Sequence, residues 1–311
     1  VWPVDLIHAG DLTCTALEEL LDLAASMKAQ PGDWTDALRG ASLACLFETP
    51  DTRAGLSTEA AAHRLGMEPI RIHPAELGLP DGETLGDAVR ILSTYSGAIV
   101  TRDVGDERLH EITRTADVPV INARSPDQHP TQALADLFTL REHFGSLAGR
   151  ALAYVGPATN IAVSLMQACA LASMQIRLAC PRDQRPTTED LTAAEVLADL
   201  HDATVAVLDD PRDAVEGADA VYGAPWPVAP PGADPRRWQE TARRYQITTP
   251  LIHHARPDAV FLHSLPAQRG REVTAGVLDD RRRSLVWQQA ENRLHVDQAI
   301  LFALITTAGA S

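Results

Sequence analysis

Four short stretches gather residue types suited to a planar, anionic ligand. "FETPDTRAG" (47–55) sets Asp51, Thr52 and Arg53 where an apolar run turns into a helical pattern. A helix start presents free backbone N–H groups, a natural seat for an anion. "VTRD" places Arg102 at the end of a second apolar run, and "AENR" adds Arg293. Arginine brings a planar, permanently charged fork that matches oxyanions. "HPTQ" puts His129 and Gln132 three apart at a helix start, hence on one face. Histidine can polarise a carbonyl oxygen, and glutamine carries a donor and an acceptor with which to read a planar amide. Asp51 runs against this set, because a carboxylate repels the phosphate that Thr52 and Arg53 would hold.

Other polar residues fall at later strand ends: Asn160 after "YVGPAT", Trp226 in "APWPVAP", and Ser264 and Leu265 in "HSLP". Neither a GxSxG motif nor an ordered Ser, His and acid set marks Ser264 as a hydrolase nucleophile. His and Cys show no zinc-like spacing, and His253–His254 reads as a helix-surface pair. No metal site is expected.

The elements that must position these residues alternate. A helical stretch at 12–30 precedes a strand at Leu43–Leu46, and a helix closing at Gly66 follows. "EPIRIHP", "AIVTRD" (98–103) and "VPVINAR" (118–124) read as strands, with a helix in "ETLGDAVRILSTYSG" and another over 129–145. After Gly149 the alternation restarts with "ALAYVG", "QIRLACP", "ATVAVLD", "AVYGAP" and "AVFLHS" as strands between helical segments. Strand–helix alternation predicts an α/β protein of two domains, each a mainly parallel sheet with helices on both faces. We place the domains at 1–145 and 150–290, with a C-terminal helix (292–311) packing back on the first. Ligands of such sheets sit beyond the carboxyl ends of the strands, where the polar residues cluster.

The chain has 311 residues, 45% hydrophobic and 22% charged, with a formal net charge of -15. That acidity argues against nucleic-acid and anionic-membrane partners and requires arginine to be concentrated locally for any anionic metabolite. Four scattered cysteines form no framework, and Cys45, Cys169 and Cys180 read as small buried hydrophobes. Without a membrane-length apolar run or a signal-like start, a cytoplasmic protein is expected.

Together, "FETPDTRAG", "VTRD", "VPVINARSPDQHPTQALADLFTLREHFG", "FLHSLPAQRGREVT" and "SLVWQQAENRLHVDQAIL" resemble the aspartate/ornithine carbamoyltransferase family, most closely its ornithine branch. The resemblance runs in order along essentially the whole chain. It implies a homotrimer whose N-terminal domain binds carbamoyl phosphate and whose C-terminal domain binds an amine acceptor. The active site would lie between the domains near a subunit interface, with no metal or organic cofactor. It assigns Arg102, His129, Gln132, the Leu265 backbone and Arg293 to the carbamoyl group, with Ser264 in place of the family's cysteine.

The same resemblance exposes departures. The family's phosphate motif, Ser-Thr-Arg-Thr-Arg, aligns with Asp51-Thr52-Arg53-Ala54-Gly55, and a loop ligand from the neighbouring subunit aligns with Gly78. The ornithine-binding Asp-x-Trp-x-Ser-Met-Gly keeps only Trp226, with Ala224 at the acid, and an asparagine pair is reduced to Asn160 before Ile161. Arg71 and Arg124 are candidates to refill the phosphate seat, Arg124 the better placed. The expectation is therefore a carbamoyltransferase acting on an ornithine-like, non-ornithine amine. The alternatives are a repurposed enzyme for a ureido, guanidino or carboxamide ligand without carbamoyl phosphate, or a non-catalytic paralogue.

Overall fold

The computed structural model describes residues 1–49, 52–73, 76–77, 82–229, 232 and 234–309, with backbone alone at 52–54. The chain divides into two compact units, one of Val1–Phe138 with Glu291–Ser311 and one of Thr139–Ala290.

The first unit opens on α1 (Cys14–Ala29). Thr13 caps it by accepting the Ala16 N–H at 3.1 Å, and Ala16, Leu17, Leu20, Leu21, Ala24 and Met27 form its buried face. Next come β1 (Ser42–Phe47), α2 (Thr52–Arg64) and β2 (Glu68–Ile72). Gly66, at φ +81°, supplies the left-handed residue after α2, and a Cβ there would lie 2.8 Å from the Asp36 Cα. α3 (Leu85–Tyr95), β3 (Ala98–Arg102), α4 (Asp106–Thr115), β4 (Val120–Arg124) and α5 (Pro130–Phe144) follow. The sheet order is β2-β1-β3-β4 with every pairing parallel. β3 is buried at all five positions, as expected of a strand covered on both faces. Leu46, Val89, Ile99, Leu109, Ile112 and Val120 pack as one core of this unit. Sequence order reverses between β1 and β3, so their carboxyl ends, Phe47 and Arg102, border the crevice where such sheets bind ligands.

The second unit holds β5 (Ala151–Val155), α6 (Asn160–Leu171), β6 (Gln175–Ala179), α7 (Thr188–Leu200), β7 (Thr204–Leu208), α8 (Pro211–Val215), β8 (Ala220–Gly223), α9 (Pro235–Arg244), α10 (Thr249–Ile252), β9 (Val260–His263) and α11 (Ala275–Leu278). Its sheet, β7-β6-β5-β8-β9, is again all parallel, with its reversal between β5 and β8. Finally α12 (Val286–Ala308) carries the chain back to the first unit.

Several elements differ from the sequence reading. α4 and α11 were not foreseen. α8 stops at Val215 rather than near 219, with Gly217 at φ +63°. α12 begins at Val286, six residues before the expected Asn292, because Arg283, Ser284 and Leu285 first lie along β9 through backbone bonds to Phe261. All four cysteines are free, and Cys45, Cys169 and Cys180 are buried. Burial pushes the thiols of Cys45 and Cys180 up to about 12. Among the described residues no helix is long and apolar enough to cross a membrane.

Candidate active site

The first unit brings together Arg102, His129, Gln132 and Arg293. Arg102 is the last residue of β3 and only 2% exposed. Its neighbour Asp103, at φ +57°, lies 3.8 Å from the Arg102 Nε and 3.1 Å from the Arg124 Nε, and accepts from the Thr49 hydroxyl. One carboxylate thus organises the ends of two adjacent strands. Arg124 ends β4 beside Arg102.

His129 is delivered by a tight turn. Ser125 N–H donates to the Gln128 carbonyl at 2.8 Å, and Gln128 N–H donates to the Ser125 Oγ at 3.1 Å. The His129 carbonyl accepts the first α5 bond from Ala133, and Thr131 anchors that turn to the Ala123 carbonyl at 3.0 Å. Pro130 suits the first helical position, which needs no N–H donor. The imidazole sits well below its ordinary pKa. Burial is the largest cause, followed by the charges of Arg293, Arg102 and Arg124, against a hydrogen bond to the Ala123 carbonyl that acts the other way. It is therefore neutral at pH 7.

Gln132 and Arg293 interlock. The glutamine Nε2 donates to Asp136 Oδ1 at 2.7 Å, and its Oε1 accepts from the Arg293 Nη1 at 3.1 Å. Flipping the amide would set its NH2 against a guanidinium and its oxygen against a carboxylate, so these partners settle its orientation. Arg293 also donates from Nε to Asp297 at 2.8 Å, and Asp297 accepts the Ser57 hydroxyl at 2.6 Å. The Arg293 Nη2 is buried and makes no hydrogen bond among the described residues. Asp136, Asp297 and Ser57 escaped the sequence reading. The signal was present, since each aspartate follows its partner by four residues in "QALAD" and "RLHVD", one helical turn away.

Of the residues expected to hold phosphate, Thr52 opens α2, followed by Arg53. Their side chains, Asp51 and Gly78 lie outside the described residues. A Cβ at Gly55 would lie 2.8 Å from the Arg71 Nη2, the far end of a flexible side chain. Arg71 lies over the Phe47 ring and donates from Nε to Glu59 at 2.8 Å.

In the second unit Asn160 is the first residue of α6, after a loop pinned by the Tyr154 hydroxyl, which donates to the Pro157 carbonyl at 2.7 Å. Ala224 and Trp226 follow β8 and are buried. Trp226 belongs to the hydrophobic core, edge-on to Trp238 at 5.8 Å. Ser264 directly follows β9 and is part-exposed. Leu265 has φ +42°, a strained backbone for a branched side chain. It is held by its N–H, which donates to the His263 Nδ1 at 2.9 Å. That bond leaves the ring proton on Nε2, 3.5 Å from the buried carboxylate of Glu272. Burial alone would raise that carboxyl, but bonds from His263 and from the Gln268 and Glu272 backbone hold it below its ordinary value. His253 and His254 lie exposed just past α10, and no group of three metal-ligating side chains occurs among the described residues.

Profiles of two domains match this chain in order. The carbamoyl-P binding domain of aspartate/ornithine carbamoyltransferase covers residues 5–142, and its Asp/Orn binding domain covers 148–304. The chain is 38% identical over 303 residues to an ornithine carbamoyltransferase of Anoxybacillus flavithermus, spanning 97% of this chain and 96% of that one. It is 40% identical to that of Thermosynechococcus vestitus over the same shares. Among solved structures, ornithine carbamoyltransferase from Pyrococcus furiosus superposes with a TM-score of 0.90 at 36% identity, over 96% of this chain and 95% of that one.

Proposed function

We propose that this chain, which belongs to the aspartate/ornithine carbamoyltransferase family, transfers the carbamoyl group of carbamoyl phosphate to the amino group of an ornithine-like acceptor other than ornithine. The observation that carries the reading is the interlocked Gln132–Arg293 pair beside Arg102 and neutral His129.

The amine lone pair attacks the carbamoyl carbon, and the carbonyl electrons move onto oxygen. They return as the bond to the phosphate oxygen breaks, phosphate leaves, and the nitrogen loses its extra proton to solvent or phosphate. Arg102 and Arg293 supply charged donors to the developing oxyanion, a kind of contact worth about 2.7–4 kcal/mol each when pre-positioned. Gln132 offers the second lone pair of Oε1 to the carbamoyl NH2. His129, held neutral, adds no charge against the two arginines. Thr52, Arg53 and the α2 N-terminus take the phosphate, and Asp51 weakens that seat.

Asn160, Trp226 and Ser264 belong to the acceptor side, Trp226 as buried support. The acceptor differs from ornithine because Ala224 replaces the acid that the ornithine branch uses. The relatives' names favour ornithine itself, so the acceptor screen must include it. We place the enzyme in the cytoplasm as a homotrimer, which light scattering would test.

The decisive experiment is calorimetric titration with carbamoyl phosphate, with inorganic phosphate as control, followed by a turnover screen of amines. Micromolar binding and turnover with a non-ornithine amine support the proposal. No binding at millimolar concentration refutes the donor, and efficient turnover of ornithine refutes the acceptor. The double change Asp51→Ser with Ala54→Thr should tighten carbamoyl phosphate binding by about tenfold, one charge-assisted hydrogen bond or relieved repulsion.

A further inference from the structure

We propose that Asp297 is a positioning residue that aims Arg293 at the carbamoyl-bearing ligand and ties it to α2, a role that rests on the reading of the site given above. Asp297 uses both oxygens. Oδ1 accepts from the Arg293 Nε at 2.8 Å, and Oδ2 accepts from the Ser57 hydroxyl at 2.6 Å. Arg293 and Asp297 are four residues apart on α12, so they share a face, and their side chains are 7% and 5% exposed.

A buried ion pair serving stability alone would satisfy its own polar atoms and stop there. This one continues. The Nη1 of Arg293 reaches across to Gln132 on α5, whose Nε2 is held in turn by Asp136. The chain Ser57–Asp297–Arg293–Gln132–Asp136 therefore links α2, α12 and α5. With Nε and Nη1 committed, the planar guanidinium cannot rotate. Its remaining nitrogen, Nη2, is buried without a hydrogen bond among the described residues. A desolvated charged donor held in one direction and left unmatched is the arrangement expected of a group awaiting an oxygen. Ser57 lies one turn into α2, whose first turn is the phosphate seat, so the same carboxylate couples the two halves of one ligand.

The test is calorimetric titration of the full chain with carbamoyl phosphate, for wild type, Asp297→Asn, Asp297→Ala, Arg293→Ala and the Asp297→Ala/Arg293→Ala double variant. Losing the aimed donor should weaken binding about 10- to 30-fold in Asp297→Ala, the scale of one charge-assisted hydrogen bond. Asp297→Asn keeps an acceptor in place and should lose only about threefold. In the Arg293→Ala background, Asp297→Ala should cost nothing further, since its effect runs through that side chain. An equal loss in both backgrounds, or an Asp297→Ala variant that binds like wild type, overturns the proposal. If wild type binds no carbamoyl phosphate, the reading of the site fails and this role with it. Should Asp297→Ala not fold, Ser57→Ala takes its place: about threefold weaker binding that vanishes with Arg293→Ala supports the link, and unchanged binding refutes it.

Discussion

Removing the carboxylate of Glu272 tests how Leu265 is held. Glu272 is 2% exposed, accepts the Gln268 N–H, and faces the Nε2 of His263, itself 1% exposed. Glu272→Ala takes the charged acceptor from the Gln268 N–H, a bond worth about 1.5–3 kcal/mol, and removes the carboxylate that faces the His263 Nε2 at 3.5 Å. Relief of a desolvated charge returns part of that sum, and the Gln268 amide gains some access to water. We therefore expect a loss of about 2–3 kcal/mol, against about 1 kcal/mol for Glu272→Gln, which keeps an acceptor oxygen. The effect should be directional. Once the Nε2 side is released, the ring can turn, and the Leu265 N–H loses its acceptor at Nδ1. Amide hydrogen exchange at Leu265 should then accelerate about 100-fold, since each 1.4 kcal/mol of opening free energy is a factor of ten. Glu272 is held below its ordinary pKa, so its contribution is present above the unfolded value and lost as pH falls through the folded one; Glu272→Gln should lack that acid-side decline. Urea unfolding and exchange mass spectrometry provide the measurements. A Glu272→Ala chain matching wild type in both, or one less perturbed than Glu272→Gln, would refute the reasoning.

Arg102→Gln should lower kcat by about 100- to 1,000-fold with the fold intact by circular dichroism, as for a lost oxyanion donor. His129 and His295 are both held below their ordinary pKa, chiefly by burial, so the folded state binds fewer protons than the unfolded one. Their contribution should be constant above about pH 6.5 and decline as pH falls below it, visible in urea midpoints, whereas His8, raised chiefly by Asp11, acts with the opposite sign. The kcat profile should fall on the same acid side, because a charged His129 would join Arg102, Arg124 and Arg293. Gly66→Ala should cost about 2–4 kcal/mol in urea unfolding, combining a positive φ with a backbone clash at Asp36; a cost under 0.5 kcal/mol would contradict that geometry.

The alternation of strands and helices was legible because a fully buried parallel strand such as β5 reads as an unbroken apolar run. α4 was harder to see. Only Leu109 and Ile112 of "DERLHEITRT" are buried, too few to mark a period. The aromatic, branched start of α12 resembles a strand, and its preceding residues do lie along β9. For the site, His129, Gln132, Arg102 and Arg293 stood out by residue type. Asp297 and Asp136 did not, because an aspartate on a helix is commonly a solvated charge, and only tertiary packing turns these two inward. Trp226 stood out only through the resemblance, and its indole completes a core.

The path of the chain has a consequence for biogenesis. The second unit is one uninterrupted segment and can close as soon as it leaves the ribosome. The first unit cannot, because Asn292, Arg293 and Asp297 meet partners made 264, 161 and 240 positions earlier, at Lys28, Gln132 and Ser57. Until the last helix is synthesised, the nascent first unit lacks the apolar face of Ile300, Leu301 and Leu304 that its core buries. Such distant pairings form late. The Arg293–Gln132 pair therefore forms only once the last helix has emerged, and a chain cut short before residue 291 is expected to leave the first unit open to proteolysis.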